Sequence, residues 1–235
     1  MKSYVLEKKA LLEFKRNDLC RFGFPELISS VENEDHAEML IEALGLNLRQ
    51  VILEVPTSNF SKPTCYKLML QMIDLIEKLH SINLVHNDLK LENIVVGIRD
   101  PSQLFLIDFG LTQSLVDESG NHIQKNYMKN FSGNFMFSSL NSCRGFNKSR
   151  RDDVESIFYI LIFLLNDQYL PWCDLLGKGS SEKPGLRAML KERLDFKFTR
   201  KLFNLIPNGL ADCLKKVLTL NFDEKPDYAY YRETV

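Results

Sequence analysis

Two short apolar runs in this chain each end on a cluster of polar residues that no protein core accepts unpaired. Leu84-Val85 leads into His86-Asn87-Asp88-Leu89-Lys90-Leu91-Glu92-Asn93, and Leu104-Phe105-Leu106-Ile107 leads into Asp108-Phe109-Gly110. Carboxylates, an amide and an ammonium at strand ends are costly unless they face one another or a shared ligand. A fold that accommodates both clusters must therefore bring them to one cleft. The spacing H-x-D-x-K-x-x-N with D-F-G downstream suits one chemistry. Asp88 can accept the proton of an attacking hydroxyl, and Lys90 can steady a transferring phosphoryl group. Asn93 and Asp108 offer hard oxygen ligands to magnesium, which bridges phosphates and offsets their charge. A polar turn between strands of any α/β protein is the plain alternative, and a lone D-x-K-x-x-N would deserve it. D-F-G at this distance, with an apolar strand before each cluster, favours the catalytic reading.

Composition admits this reading without requiring it. A chain of 235 residues exceeds the usual single-domain size, yet fits one large lobe plus a small one. The content of 45% hydrophobic and 26% charged residues is that of an ordinary soluble protein. A net charge of −1 supplies no field to attract nucleic acid or an anionic membrane, so neither is an expected partner. The five cysteines (Cys20, Cys65, Cys143, Cys173, Cys213) are scattered and lack CxxC spacing. They predict reduced packing residues, no zinc site, and a cytoplasmic or nuclear location. Met1-Lys2-Ser3-Tyr4 runs straight into a charged amphipathic segment, unlike a signal peptide. The most apolar run, Val154 to Leu165, contains Glu155 and Ser156 and is too short to span a bilayer. It reads as a buried core helix.

In chain order, the periodicity predicts a helix from about Val5 to Arg16, ended before Gly23 and Pro25. Strands are expected over Glu26–Val31 and Ala37–Glu42, joined by the acidic turn 32–35, with Leu44-Gly45-Leu46 as a connector. Pro63 starts a helix to His80 with a broad Met/Leu stripe, read as plain core, and His80 as a helix-end residue without chemistry. A strand hairpin follows the first polar cluster, turning at Gly97 to Gln103. The polar segment Thr112 to Asn130 reads as a functional loop in which His122 is solvated. Lys148 to Ile157 places a double arginine and a double aspartate against the most apolar helix, so at least one carboxylate should turn inward to a partner. Gly177 to Gly185 reads as a loop.

These residues resemble the casein kinase 1 family of Ser/Thr protein kinases. Ser149-Arg150-Arg151-Asp152-Asp153-Val154-Glu155-Ser156 is similar to that family's S-R-R-D-D-L-E-S. Ser132 to Asn141 resembles its T-G-T-A-R-Y-A-S-I-N, Leu170-Pro171-Trp172 its L-P-W, and Phe222 to Tyr228 its F-E-D-K-P-D-Y. The likeness spans roughly Glu7 to Tyr228. It implies an α+β, two-lobed kinase fold: a truncated small lobe of a helix plus two strands (1–43) on a mainly helical large lobe (44–235). It implies ATP and Mg2+ as cofactors and protein Ser/Thr substrates. By position, Ile41 would be the gatekeeper, Glu42 and Leu44 would offer backbone hydrogen bonds to adenine, and Asp153 would anchor the catalytic loop.

Departures from the family pattern are as informative. No G-x-G-x-x-G precedes the hinge, and Lys2 is the only lysine upstream of Glu7, the candidate for the helix glutamate with Glu13 as alternative. Protein kinases use both parts to position ATP. Losing one such charge contact costs about 3 kcal/mol or more of transition-state stabilisation. An incomplete gene model, a fragment or a degenerate paralogue is the expected explanation. Asn87 replaces the arginine of H-R-D, and with Met136 it stands where the family has anion-binding arginines. Asn134 stands in place of a threonine that bridges the residues equivalent to Asp88 and Lys90, which should perturb that pair. Two functional readings follow: an active kinase of this type, or a catalytically impaired pseudokinase that binds partners. A small-molecule kinase fits the Lys90 spacing and the 150–156 run less well.

Overall fold

The computed structural model describes residues 2–33, 36–54, 59–173, 175, 186–197 and 200–234. Helix α1 (Lys2–Arg16) ends on Lys15 and Arg16, cations that favour a helix C-terminus. Its inner face buries Ala10, Leu11 and Phe14, and the Phe14 ring lies 4.7 Å from Phe24 and 4.6 Å from Phe109. The chain then turns at Gly23, whose φ of 105° and a would-be Cβ only 2.2 Å from the Leu104 carbonyl oxygen admit no side chain. That close approach lets the Gly23 carbonyl accept a hydrogen bond from Leu106 N–H at 2.9 Å.

Strands β1 (Leu27–Glu32) and β2 (Ala37–Ile41) pair antiparallel with Ser29 opposite Leu40 and Val31 opposite Glu38, after an irregularity near Ile28. Residues 34 and 35 of the expected acidic turn lie outside the described residues. After the connector, helix α2 (Leu48–Glu54) buries Leu48 and Ile52. Helix α3 (Lys62–Ser81) is capped by the Ser61 side chain, which accepts from Thr64 N–H, with Pro63 in its first turn.

Two short strand pairs deliver the polar clusters. Strand β3 (Leu84–Val85) pairs with β6 (Gln113–Ser114), and β4 (Ile94–Val96) pairs with β5 (Leu104–Leu106) across the 97–103 turn. Helix α4 (Leu140–Cys143) is capped by Ser139. Helix α5 (Arg150–Leu165) opens on a capping box between Ser149 and Asp152 and is buried all round from Arg151 to Leu164. It is the axis of the core, packed by α3, by Trp172 edge-on to Tyr159 at 5.2 Å, and by the helices Asn208–Thr219 and Tyr228–Thr234. A further helix, Leu186–Lys197, places Arg193 in the interior. The expected loop at Gly177 to Gly185 lies outside the described residues.

The architecture is thus a helix and two strands attached to a mainly helical remainder, as the sequence implied. Among the described residues, no helix is long and apolar enough to cross a membrane, and the five cysteines are free.

Candidate active site

The two polar clusters meet. Ile107 N–H donates to the Asn93 carbonyl at 3.0 Å, which locks the residue before Asp108 to the end of the first cluster. Asn87 and Asp108 adopt φ of 70° and 63°, a region that Asn and Asp tolerate better than most residues. The Lys90 ammonium donates to Asp88 Oδ2 at 2.7 Å and lies 4.0 Å from Asp108 Oδ2. Asn93 Nδ2 donates to the Asp88 carbonyl at 2.9 Å and approaches Asp108 Oδ2 at 3.5 Å.

Asn134 completes the cluster without disturbing it. Its Nδ2 donates to Asp88 Oδ1 at 3.1 Å and to the Leu89 carbonyl at 2.9 Å. The Asp88–Lys90 pair stays closed at 2.7 Å, with Asn134 bonded to Asp88 rather than bridging to Lys90. Burial opposes ionisation of Asp88, but the bonds from Lys90 and Asn134 outweigh it and hold the carboxyl below its ordinary value. Burial likewise pulls Lys90 down, and its bond to Asp88 more than compensates, so the ammonium is retained. The result is an ionised carboxylate, 6 % exposed as a residue, beside a fixed cation. A cleft of about 920 Å3 opens on Lys90 and Asn93, with Arg49, Asn134, Met136 and Gln168 on its walls.

The loop is held from below by α5. Asp153, 1 % exposed, accepts from His86 N–H at 2.7 Å, Asn87 N–H at 2.9 Å and His80 Nε2 at 3.1 Å. Burial raises its carboxyl, yet the His80 bond and its companions prevail and keep it ionised. His80 is therefore a structural residue, because its Nδ1 also meets the Tyr228 hydroxyl at 2.6 Å and so bridges α3, α5 and the last helix. His86, its pKa lowered by burial, donates from Nε2 to the Ile107 carbonyl at 3.1 Å and accepts Asp88 N–H on Nδ1 at 3.3 Å. Lys148 donates to the Asn87 carbonyl and, at 2.9 Å, to that of Ser132. Three carboxylates of the charge run turn inward: Asp153 as above, Asp152, which accepts from Ser139 and Ser149, and Glu155, which accepts from Leu140 N–H at 2.6 Å and the Tyr159 hydroxyl at 2.6 Å.

Of the two candidate helix glutamates, Glu7 faces the site. Burial and the nearby Asp108 charge raise its pKa, partly offset by the Phe109 N–H. Close approach is allowed because residue 110 is glycine; a Cβ there would lie 2.0 Å from Ser3 Oγ. Glu13 is turned outward and pairs with Arg16 at 2.7 Å. No ion pair to Glu7 occurs among the described residues. Lys2 opens α1.

Glu42 and Leu44 lie in the stretch between β2 and α2. Glu42 N–H is spent on the Glu26 carbonyl at 2.9 Å, while Gly45 N–H and the Leu46 carbonyl pair with Val96 of β4. This stretch therefore runs beside the strand that starts just after Asn93. His122 is not solvated as expected: it bonds the Ile123 carbonyl at 2.8 Å and stands edge-on to Phe222.

The donor set fits magnesium. Asn93 Nδ2 is committed to Asp88, which leaves Oδ1 as the amide's ligand atom, and the Asp108 side chain is 48% exposed. One amide oxygen and one carboxylate, completed by phosphate oxygens and water, is a usual environment for that ion. Among the described residues no group of three or more His, Cys, Asp or Glu forms a metal cage, so an all-protein site is not what this cleft offers.

The sequence profile of the protein kinase domain matches residues 6–229. That span runs from the turn of α1 carrying Glu7, through both polar clusters, to the helix carrying Tyr228, and it covers nearly the whole chain. This protein belongs to the protein kinase family.

Proposed function

We propose that this chain is an ATP-dependent Ser/Thr protein kinase of the casein kinase 1 type, acting on protein hydroxyls. The observation that supports it most is the clustering of Asp88, Lys90, Asn93 and Asp108, whose polar atoms lie within 4.0 Å of one another in a chain of contacts. Asp88, kept ionised, accepts the proton of the substrate hydroxyl as it attacks. Lys90 neutralises charge on the transferring group from a position fixed by Asp88 and Asp108. Asn93 and Asp108 would hold Mg2+, which would offset the charge of the nucleotide phosphates. Adenine would lie against the 42–44 stretch, where the Glu42 carbonyl and Leu44 N–H have no partner among the described residues. Residues 1–43 form the small lobe in this reading, and 44–235 the large.

One observation favours a second reading, a catalytically impaired pseudokinase serving as a protein-binding scaffold. Glu7 stands beside Asp108, and among the described residues no lysine is paired with it as in an active kinase. A thermal-shift titration with MgATP, followed by phosphorylation of casein with Asp88→Asn as control, separates the two. Stabilisation by MgATP and phosphorylation that depends on Asp88 are expected. Neither effect would leave the scaffold reading.

A further inference from the structure

The cleft beside Lys90 and Asn93 carries an apolar floor and a cation that phosphoryl transfer does not use. Phe135, Met136, Phe163 and Cys173 are on its lining. The backbone beneath them is fixed. Trp172 Nε1 donates to the Met136 carbonyl at 2.8 Å, and the buried Arg193 guanidinium donates to the carbonyls of Phe135 and Ser138. Cys173 Sγ lies 3.7 Å from Met136 Sδ, and the Phe137 ring stands edge-on to Phe163 at 5.4 Å. Phe135 and Met136 are only partly buried, so apolar surface stays open to the cleft. A floor already ordered loses little freedom when a ligand side chain settles on it.

Arg49 gives the same cleft a charge that is not neutralised. It is exposed, in the first turn of α2. Its Nη1 donates to Gln168 Oε1 at 3.0 Å, and that neutral amide fixes the guanidinium without cancelling its charge. Nε and Nη2 have no partner among the described residues, which leaves one edge of the fork open to a carboxylate. Lys90, by contrast, is committed to Asp88. Glu92, an acid on the same lining, forms no ion pair with Arg49 among the described residues.

A substrate hydroxyl bound for Asp88 comes in over Lys90 and Asn134, which line this cleft and bond to that carboxylate. Residues flanking the hydroxyl then lie against the rest of the lining. We infer that the cleft selects an extended peptide with a large apolar side chain at one position flanking the phosphoacceptor, seated on Phe135 and Met136, and a carboxylate at another, held by Arg49. The inference rests on the reading of this cleft as the phosphoryl-transfer site. A peptide basic at that second position would be repelled, and one without the apolar residue would leave the floor wet.

The test uses the purified chain without nucleotide and fluorescein-labelled peptides with a central serine in an alanine–glycine background. The set carries one leucine and one glutamate at every pair of flanking positions, and binding is read by fluorescence anisotropy. In the tightest binder, changing the glutamate to lysine should weaken binding about fivefold, and changing the leucine to serine about tenfold. Arg49→Glu, an exposed substitution, should keep the melting temperature and reverse the first preference in favour of lysine while sparing the second. Met136→Arg should abolish the leucine preference. Both preferences without transfer of phosphate from MgATP to the serine would uphold the inference and remove the kinase reading alone. Absence of saturable binding, equal affinity for the glutamate and lysine peptides, a glutamate preference that persists in Arg49→Glu, or a leucine preference untouched by Met136→Arg would each overturn the inference.

Discussion

Removing the Asp153 carboxylate should destabilise the protein out of proportion to the size of the side chain. Asp153→Ala leaves three donors without their acceptor: His86 N–H, Asn87 N–H and His80 Nε2. At roughly 1–3 kcal/mol for each buried orphan, the loss is bounded at about 3–9 kcal/mol, and water admitted to the vacated space places it near 4 kcal/mol. That is a large share of the roughly 5–15 kcal/mol by which domains are stable. Asp153→Asn keeps the shape and the oxygen facing Asn87, but turns an N–H2 toward His80 and His86. It should cost nearly as much as alanine, which separates acceptor chemistry from packing. Urea unfolding followed by the single tryptophan, Trp172, which is fully buried, reads the change directly. Asp212→Ala, an exposed acid paired with Lys215 at 2.9 Å, is the control and should change little. The sign with pH is fixed as well. Asp153 titrates below an ordinary carboxyl when folded, so its contribution is present above about pH 4 and fades as pH falls through the folded value. A loss under about 1 kcal/mol for Asp153→Ala, or an Asp153→Asn variant as stable as the control, would refute the anchoring role.

Four other outcomes are expected. Asp88→Asn should lower casein phosphorylation by about 100-fold or more, and it should also lower the urea midpoint, because it sets an N–H2 against Lys90 or Asn134; an unaltered rate would remove Asp88 as the base. Burial outweighs the Ser139 hydroxyl bond and raises Asp152 from 3.8 to about 6, so its favourable contribution is complete below the unfolded value and is lost as pH rises through about 6. Asp152→Asn should therefore gain on the wild type by up to about 3 kcal/mol between pH 4 and 7, and a pH-independent difference in urea melts would contradict this. Tyr228→Phe leaves His80 Nδ1 unpaired and should cost about 1–2 kcal/mol, measured the same way; no loss would mean the 2.6 Å contact is energetically idle. Glu7→Gln keeps an acceptor for Phe109 N–H while removing charge beside Asp108, and should stabilise the protein by about 1 kcal/mol at pH 7; a lower melting temperature would show that a cation balances Glu7.

What is legible in the sequence is what depends on neighbours in the chain. The spacing from His86 to Asn93 fixes a loop whose parts are close whatever else folds around them. The D-F-G strand is recognisable because β4 and β5 are a hairpin with a short turn. Helix α5 shows in its unbroken apolar run, and the inward turn of its acids follows from charge set against that run. Helix α2 leaves no such mark, because its seven residues bury only Leu48 and Ile52, too few for a period to show. The roles of His80 and Lys148 are hidden for a different reason. Their partners lie 73 and 61 residues away, and no local pattern reports a contact of that kind. His122 departs from expectation likewise, since the ring that covers it, Phe222, belongs to the far end of the chain.

The cluster around Asp88 draws its support from the helical remainder of the chain. Asp153 and Lys148 reach the loop from α5 and the residue just before its cap, and Asn134 reaches it from the segment ahead of α4. None of these contacts passes through α1, β1 or β2. Asp88, Lys90 and Asn93 would therefore hold their places whether or not a nucleotide can be covered from above, whereas Asp108 is also held from α1, by Glu7 on the Phe109 N–H and Phe14 on the Phe109 ring. The charge at Glu7 is where the two readings part. A partly buried carboxylate beside a second carboxylate is unfavourable unless a cation joins them. In an active enzyme that cation is bound with the nucleotide or supplied by a lysine, and Glu7→Gln must then weaken MgATP binding. In a scaffold the repulsion stays unrelieved, and the same substitution stabilises the chain while leaving its thermal shift with MgATP, or the lack of one, unchanged.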